Sequence, residues 1–187
     1  VGLQVPHAER RAFAAFLDID TPGGRVDAAE RIVDAVRGAR LPVYAFVNPR
    51  AYSAGAMIAL ATKGIYMRPG AVLGAATPVD GSGTKAPEKY VSALRGEFRA
   101  LAEQQGLDPR IAEKMVDENL ELEGIAPKGK LVTLSTSEAL ARRSVAITGA
   151  PESWRTPLTV AEFPSTTMSA PKRNSSATCM KRFSKMF

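Results

Sequence analysis

Ser53 stands where an activated nucleophile would stand. The run Val43-Tyr44-Ala45-Phe46-Val47 reads as a buried strand and Asn48-Pro49-Arg50 as a turn. Ala54 to Ala61 then reads as an apolar helix with almost no polar face. Ser53 lies at this strand-to-helix turn, with Ala51 two residues before it and Gly55 two after. Such small neighbours let a carbonyl come close, and the amides of the first helical turn point where an oxyanion would form. Serine is also a common helix N-cap, so the residue alone leaves both roles open.

A serine hydroxyl needs a base to become a good nucleophile. A Ser-His-Asp triad would have to use His7, the one histidine, which lies in an N-terminal segment without a clear period. The other suitable base is lysine, provided burial or nearby positive potential keeps it neutral near pH 7. Lys89 follows Pro87 in the first turn of an expected helix, where the partial positive charge disfavours an ammonium. Lys85 competes, although its Gly-Ser-Gly-Thr loop suggests a solvated side chain. Lys63 lies about three helical turns beyond Ser53, too far along the axis to reach it. The oxyanion would take one amide from Ala54. Gly23-Gly24, at the end of the preceding strand, can present a second amide from the same edge of a parallel sheet.

These groups need a scaffold that brings successive strand ends together. Phe13 to Ile19 reads as a strand, Asp20 to Gly24 as a turn, and Val26 to Arg37 as a helix with Ala29, Ile32, Val33 and Val36 inward, closed by Gly38. With the second strand and helix this is a βαβ rhythm, hence an α/β fold with mainly parallel strands. Gly64 to Met67 and Ala71 to Ala76 read as two short strands before the next helix, which favours a spiral of ββα units. A long helix is expected from Ala86-Pro87 to Gln105, with Val91, Leu94, Phe98 and Leu101 buried and Gly106 ending it. Asp108-Pro109 opens another helix with Ile111, Met115 and Val116 inward. Gly129 to Leu134 reads as a strand, Ser135 and Glu138 as a capping box, and Val145 to Ile147 as a last strand.

The 187 residues have room for one domain of about 149 residues with a sizeable core, and no apolar run is long enough to span a membrane. One cysteine, Cys179, excludes an internal disulfide. From Pro151 onward there are six Lys/Arg against two Asp/Glu, so the tail holds +4 of the net +6. The body is nearly balanced, which argues against a nucleic-acid partner. Eleven of the last 37 residues are Ser or Thr and four are Pro, so 150–187 is expected to be a disordered basic tail.

Five ordered segments resemble a known family: LDIDTPGGRVDAAERI (Leu17 to Ile32), AYSAGAMIALA (Ala51 to Ala61), YMRPGAVLGAATPV (Tyr66 to Val79), APEK (Ala86 to Lys89) and KLVTLSTSEAL (Lys130 to Leu140). Together they resemble the protease domain of the NfeD family, membrane-linked serine proteases of the ClpP class. The resemblance implies a ClpP/crotonase-like spiral, with an N-terminal strand that is incomplete here. It also implies a Ser-Lys dyad of Ser53 and Lys89, oxyanion amides from Gly24 and Ala54, and substrate contacts at Gly23 and Gly55. Such a dyad uses neither cofactor nor metal. The implied substrate is a hydrophobic peptide or a stomatin-like membrane protein. The implied assembly is a homodimer, and the implied place is a membrane, on its extracytoplasmic face. Two other activities are compatible with such a fold. One is a crotonase-like acyl-CoA hydratase or isomerase, for which Asp80 is the nearest carboxylate. The other is a protease-like scaffold without catalysis.

Overall fold

The computed structural model describes residues 14–142 and the backbone of Cys179–Ser184. His7 and the strand expected at Val145 to Ile147 lie outside these residues. The chain forms β1 (Ala15–Thr21), α1 (Val26–Arg37), β2 (Val43–Tyr52), α2 (Ala54–Leu60), β3 (Ile65–Met67) and β4 (Val72–Gly74). It continues with α3 (Glu88–Gln105), α4 (Pro109–Val116), β5 (Thr133–Ser135), α5 (Thr136–Ala141) and β6 (Cys179–Ser184). The described strands make one six-stranded sheet in the order β5-β4-β2-β1-β6, with β3 also on β2. All pairings are parallel except β4 with β5. The α/β class with a mainly parallel sheet is therefore present.

β2 is the axis of this sheet, and it differs from the sequence reading. The turn expected at Asn48-Pro49-Arg50 does not end the strand, which runs on to Tyr52, but it survives as a bulge there, since Ile19 pairs with Val47 and Thr21 with Ala51. The reason is tertiary. Ala45 to Val47 pair with β3, and Arg50 to Tyr52 pair with β4. Two short strands thus share one edge of a long one, and β1 takes the other edge. Alternation along β1 buries Leu17 and Ile19. They join Ala29 and Val33 of α1 and Ala56, Met57, Ala59 and Leu60 of α2 in one core cluster. The register that puts Phe16 opposite Tyr44 also stacks their rings, 5.3 Å between centroids.

The tail expected over 150–187 departs from that reading at one place. Cys179–Ser184 pair parallel with Ala15 to Asp20 as the strand beyond β1. An open strand edge carries unpaired backbone groups, and pairing satisfies them. The rest of the segment lies outside the described residues.

The helices follow their sequence signals closely. α3 buries Val91, Leu94, Phe98 and Leu101 and ends at Gly106, whose φ of 69° is left-handed. Asp108 caps α4 by accepting from the Arg110 amide, and Ser135 and Glu138 form the capping box of α5. Gly38 closes α1 in a right-handed conformation, with φ of −81°. α4 also buries a residue that no apolar period announces. Lys114 is fully buried, and its ammonium donates to the carbonyls of Glu118, Leu120 and Pro127. Beside it, Asp117 accepts from the Asn119 amide and pairs with Arg95 at 2.5 Å. Burial pushes the Asp117 carboxyl up, but the Asn119 amide and the Arg95 guanidinium outweigh it and hold the group below its ordinary value.

Lys114→Met should lose about 3 kcal/mol, because three partly buried carbonyls lose a charged donor. Urea denaturation read by circular dichroism checks this. Asp117 has a depressed folded pKa, so its stabilising effect is full above the unfolded value of about 3.9 and fades as pH falls through the folded one. Asp117→Asn should therefore flatten the acid limb of a stability-against-pH curve, as measured by melting temperature.

Candidate active site

Ser53 occupies the junction of β2 and α2 with φ 51° and ψ −117°, a conformation that non-glycine residues seldom adopt. Its side chain makes no capping hydrogen bond, so the N-cap role does not account for it. The backbone is held from both sides. The Ser53 amide donates to the Gly74 carbonyl at 2.9 Å, and its carbonyl accepts from the Ala56 and Met57 amides. This is a strained strand-to-helix elbow, the arrangement that exposes a nucleophilic hydroxyl above a sheet edge.

The β1–α1 turn comes directly against it. Thr21 Oγ1 donates to the Gly23 carbonyl at 3.0 Å and accepts from the Gly23 amide at 3.2 Å. Gly23 has φ 129°, and a Cβ there would sit 2.9 Å from Ser53 Cβ. Glycine is thus required twice, for the conformation and for the approach. Because the Gly23 amide is used by Thr21, the next amide, that of Gly24, is the one left over. Neither it nor the Ala54 amide makes a hydrogen bond among the described residues. Gly55 is buried with its Cα facing Thr21, where a Cβ would meet Thr21 Cγ2 at 2.5 Å.

Gly24, Ser53 and Ala54 line one cavity of about 100 Å³. Its walls include Val26, Ala29, Met57, Leu94 and Phe98, so its inner part is apolar. Thr77 is also at the wall, but its hydroxyl donates to the Val116 carbonyl at 2.8 Å. Arg25, at the mouth, is paired with Asp27 at 2.9 Å. That bond and the attraction of the two charges raise the Arg25 pKa. The same bond lowers that of Asp27. The cavity therefore suits an uncharged, apolar group next to the serine hydroxyl.

The two candidate lysines lie apart from it. Lys89 is exposed, with its ammonium 4.8 Å from the centre of the Tyr90 ring, and no hydrogen bond joins it to Ser53 among the described residues. Lys85, expected to be solvated in its loop, is partly exposed but not free. It pairs with Glu118 at 2.9 Å, and this bond raises its pKa and keeps it charged. Asp80 is tied into its own turn by Ser82 and Thr84. Among the described residues no cluster of His, Cys, Asp and Glu has the arrangement of a metal site.

A family model described as the NfeD1b N-terminal domain matches residues 5–147. The chain belongs to this family. It is 43% identical to the membrane protein NfeD1b of Bacillus subtilis (strain 168) over 126 residues, 67% of this chain and 29% of the relative. It is 36% identical to the membrane-bound protease PH1510 of Pyrococcus horikoshii over 119 residues, 59% of this chain and 27% of the relative. The chain thus spans less than a third of the length of these relatives. Among solved structures it is similar to the 1510-N membrane-bound stomatin-specific protease. A serine-to-alanine mutant of that protein matches with TM-score 0.62 and 31% identity, over 73% of this chain and 64% of that one. A lysine-to-alanine mutant in complex with a substrate peptide matches with TM-score 0.65 and 25% identity, over 94% and 80%. No helix among the described residues of this NfeD1b-type domain is long and apolar enough to cross a membrane.

Sequence reasoning on the domain missed Thr21, Gly74 and the apolar wall of Met57, Leu94 and Phe98. The last three were legible as buried helix positions, but not as a wall beside Ser53. Thr21, immediately before Pro22-Gly23-Gly24, carried a weak turn signal of its own. Gly55→Ala should cost about 1–3 kcal/mol by overpacking against Thr21. Adding Thr21→Ser removes the clashing methyl and keeps the hydroxyl, so the double variant should recover most of the loss. Thermal denaturation of the four proteins of this cycle checks it.

Proposed function

We propose that the domain is a serine endopeptidase of the Ser-Lys type with a ClpP/crotonase-like spiral, cutting apolar peptide segments at a membrane. The observation that carries this reading is Ser53 held at a strained elbow, beside two unused amides and an apolar cavity. Kinship with a protease supports it further. Ser53 Oγ attacks the peptide carbonyl as the neutral amine of Lys89 takes its proton. The Gly24 and Ala54 amides receive the oxyanion. Lys89 then protonates the leaving amine, and water releases the acyl group from Ser53. Gly23 lets the peptide backbone come near, whereas Gly55, expected from the sequence to do the same, is packed against Thr21 and seats the β1–α1 turn instead.

Lys89 stands in the first turn of α3, between Pro87 and Tyr90, which line the groove that adjoins the cavity. In this reading it turns inward when a peptide covers the site and excludes water. Lys85, already bound to Glu118, has no such role. The substrate is an apolar segment such as a stomatin-like protein would offer. The domain acts as a homodimer at the extracytoplasmic face of a membrane.

Ser53→Ala and Lys89→Ala should each lower kcat/KM for an apolar fluorogenic peptide by about a thousandfold or more. Lys85→Ala should retain most of the activity. Full activity in Ser53→Ala would overturn the reading, and loss in Lys85→Ala with full activity in Lys89→Ala would exchange the base.

A further inference from the structure

A larger groove continues from the Ser53 cavity. It holds about 350 Å³, and Val26, Pro78, Val79 and Leu94 line both spaces. Of the five large apolar side chains exposed among the described residues, three meet here: Val26, Val79 and Tyr90. An apolar surface gathered at one place, beside a nucleophile, is a docking surface for the chain that the nucleophile acts on. The groove runs between α1 and α3, with Glu30 and Glu97 on its walls. A second space of about 290 Å³ carries it on past the same two residues to Asp34, Arg37 and Leu101, over Met57 of α2.

The charge along this groove is not balanced. Glu97 Oε2 is buried and has no hydrogen-bond partner among the described residues. Burial, then the Glu30 and Asp34 carboxylates, raise the Glu97 pKa. Glu30 and Asp34 lie one turn apart on α1, and neither they nor Glu97 forms an ion pair among the described residues. Arg37 stands one further turn along α1. A buried carboxylate without a partner is costly, and a cation brought by a ligand removes that cost. The side chains that combine an apolar stem with a cationic head are lysine and arginine.

We propose that the groove between α1 and α3 takes a lysine or arginine of the bound peptide, with the stem against Val26 and Leu94 and the head between Glu30 and Glu97. The domain then selects an apolar segment flanked by a basic residue, and Glu97 is the specificity-determining side chain. This rests on the peptidase reading for what enters the groove, so its test reads binding apart from cleavage.

Fluorescent apolar peptides, in which one norleucine at a time is replaced by lysine, are titrated into the Ser53→Ala protein by anisotropy. One register should bind about tenfold tighter than the norleucine parent, as a hydrogen-bonded charge pair would give. Glu97→Gln should bring that ratio close to one, and Glu30→Gln should lower it in part. Glu97→Gln keeps the shape of a side chain whose Oε2 has no partner in the free protein, so its melting temperature should not fall. Equal binding of all lysine registers and the parent would overturn the proposal, as would a preference that survives Glu97→Gln. Cleavage by the protein with Ser53 intact separates the two readings. A Glu97-dependent preference without cleavage of any peptide keeps the groove and removes the peptidase. Cleavage without the preference does the reverse.

Discussion

The site depends on one backbone hydrogen bond, from the Ser53 amide to the Gly74 carbonyl. Ser53 sits in a conformation of the kind that costs about 1–3 kcal/mol and persists only when its surroundings over-determine it. β4 provides that constraint, because it ends beside the last residues of β2 and offers the Gly74 carbonyl there. Gly74 in turn has φ 139° and lies so close to the Val132 carbonyl that a side chain would collide with it. The constraint passes outward. The Ala76 amide donates to Met115, Thr77 to Val116 and the Val132 amide to Lys114. The buried Lys114 ammonium then gathers the loop that follows α4. A lysine with no contact to Ser53 thereby helps to hold it.

The same arrangement sorts charge from apolar surface. Near Ser53 the positive side chains are occupied: Arg25 by Asp27 and Arg50 by Asp20. What remains beside the hydroxyl is apolar wall and backbone amide, a setting in which a developing oxyanion gains more from two donors than it would in water. The carboxylates of Glu30, Asp34 and Glu97 lie farther along the groove, where they do not oppose that charge but can meet a cation.

Much of this was legible in the residues. α1 and α3 followed from their apolar spacing. Gly106 and the Ser135–Glu138 pair marked their helix ends because capping is local chemistry. Ser53 stood out through its small neighbours. The continuation of β2 beyond Pro49 did not, since local turn signals favoured a break, and it is pairing with β4 and β1 past the bulge that carries the strand on. The partner of Lys85 lies thirty-three residues away in sequence. The burial of Lys114 could not be read from its type, because lysine is exposed by default.

By itself, then, the sequence determined the parts whose cause is short-range: which segments are helices, where they stop, which turns tolerate only glycine, and which serine has room around it. Tertiary structure decided what those parts do together. It bent Ser53 into its elbow through Gly74, set Gly23 against it, placed Phe98 and Leu94 behind it, and left Glu97 Oε2 in a groove without a hydrogen-bond partner among the described residues. These outcomes rest on contacts between residues far apart in the chain, and no local preference of either partner encodes the geometry in which they meet.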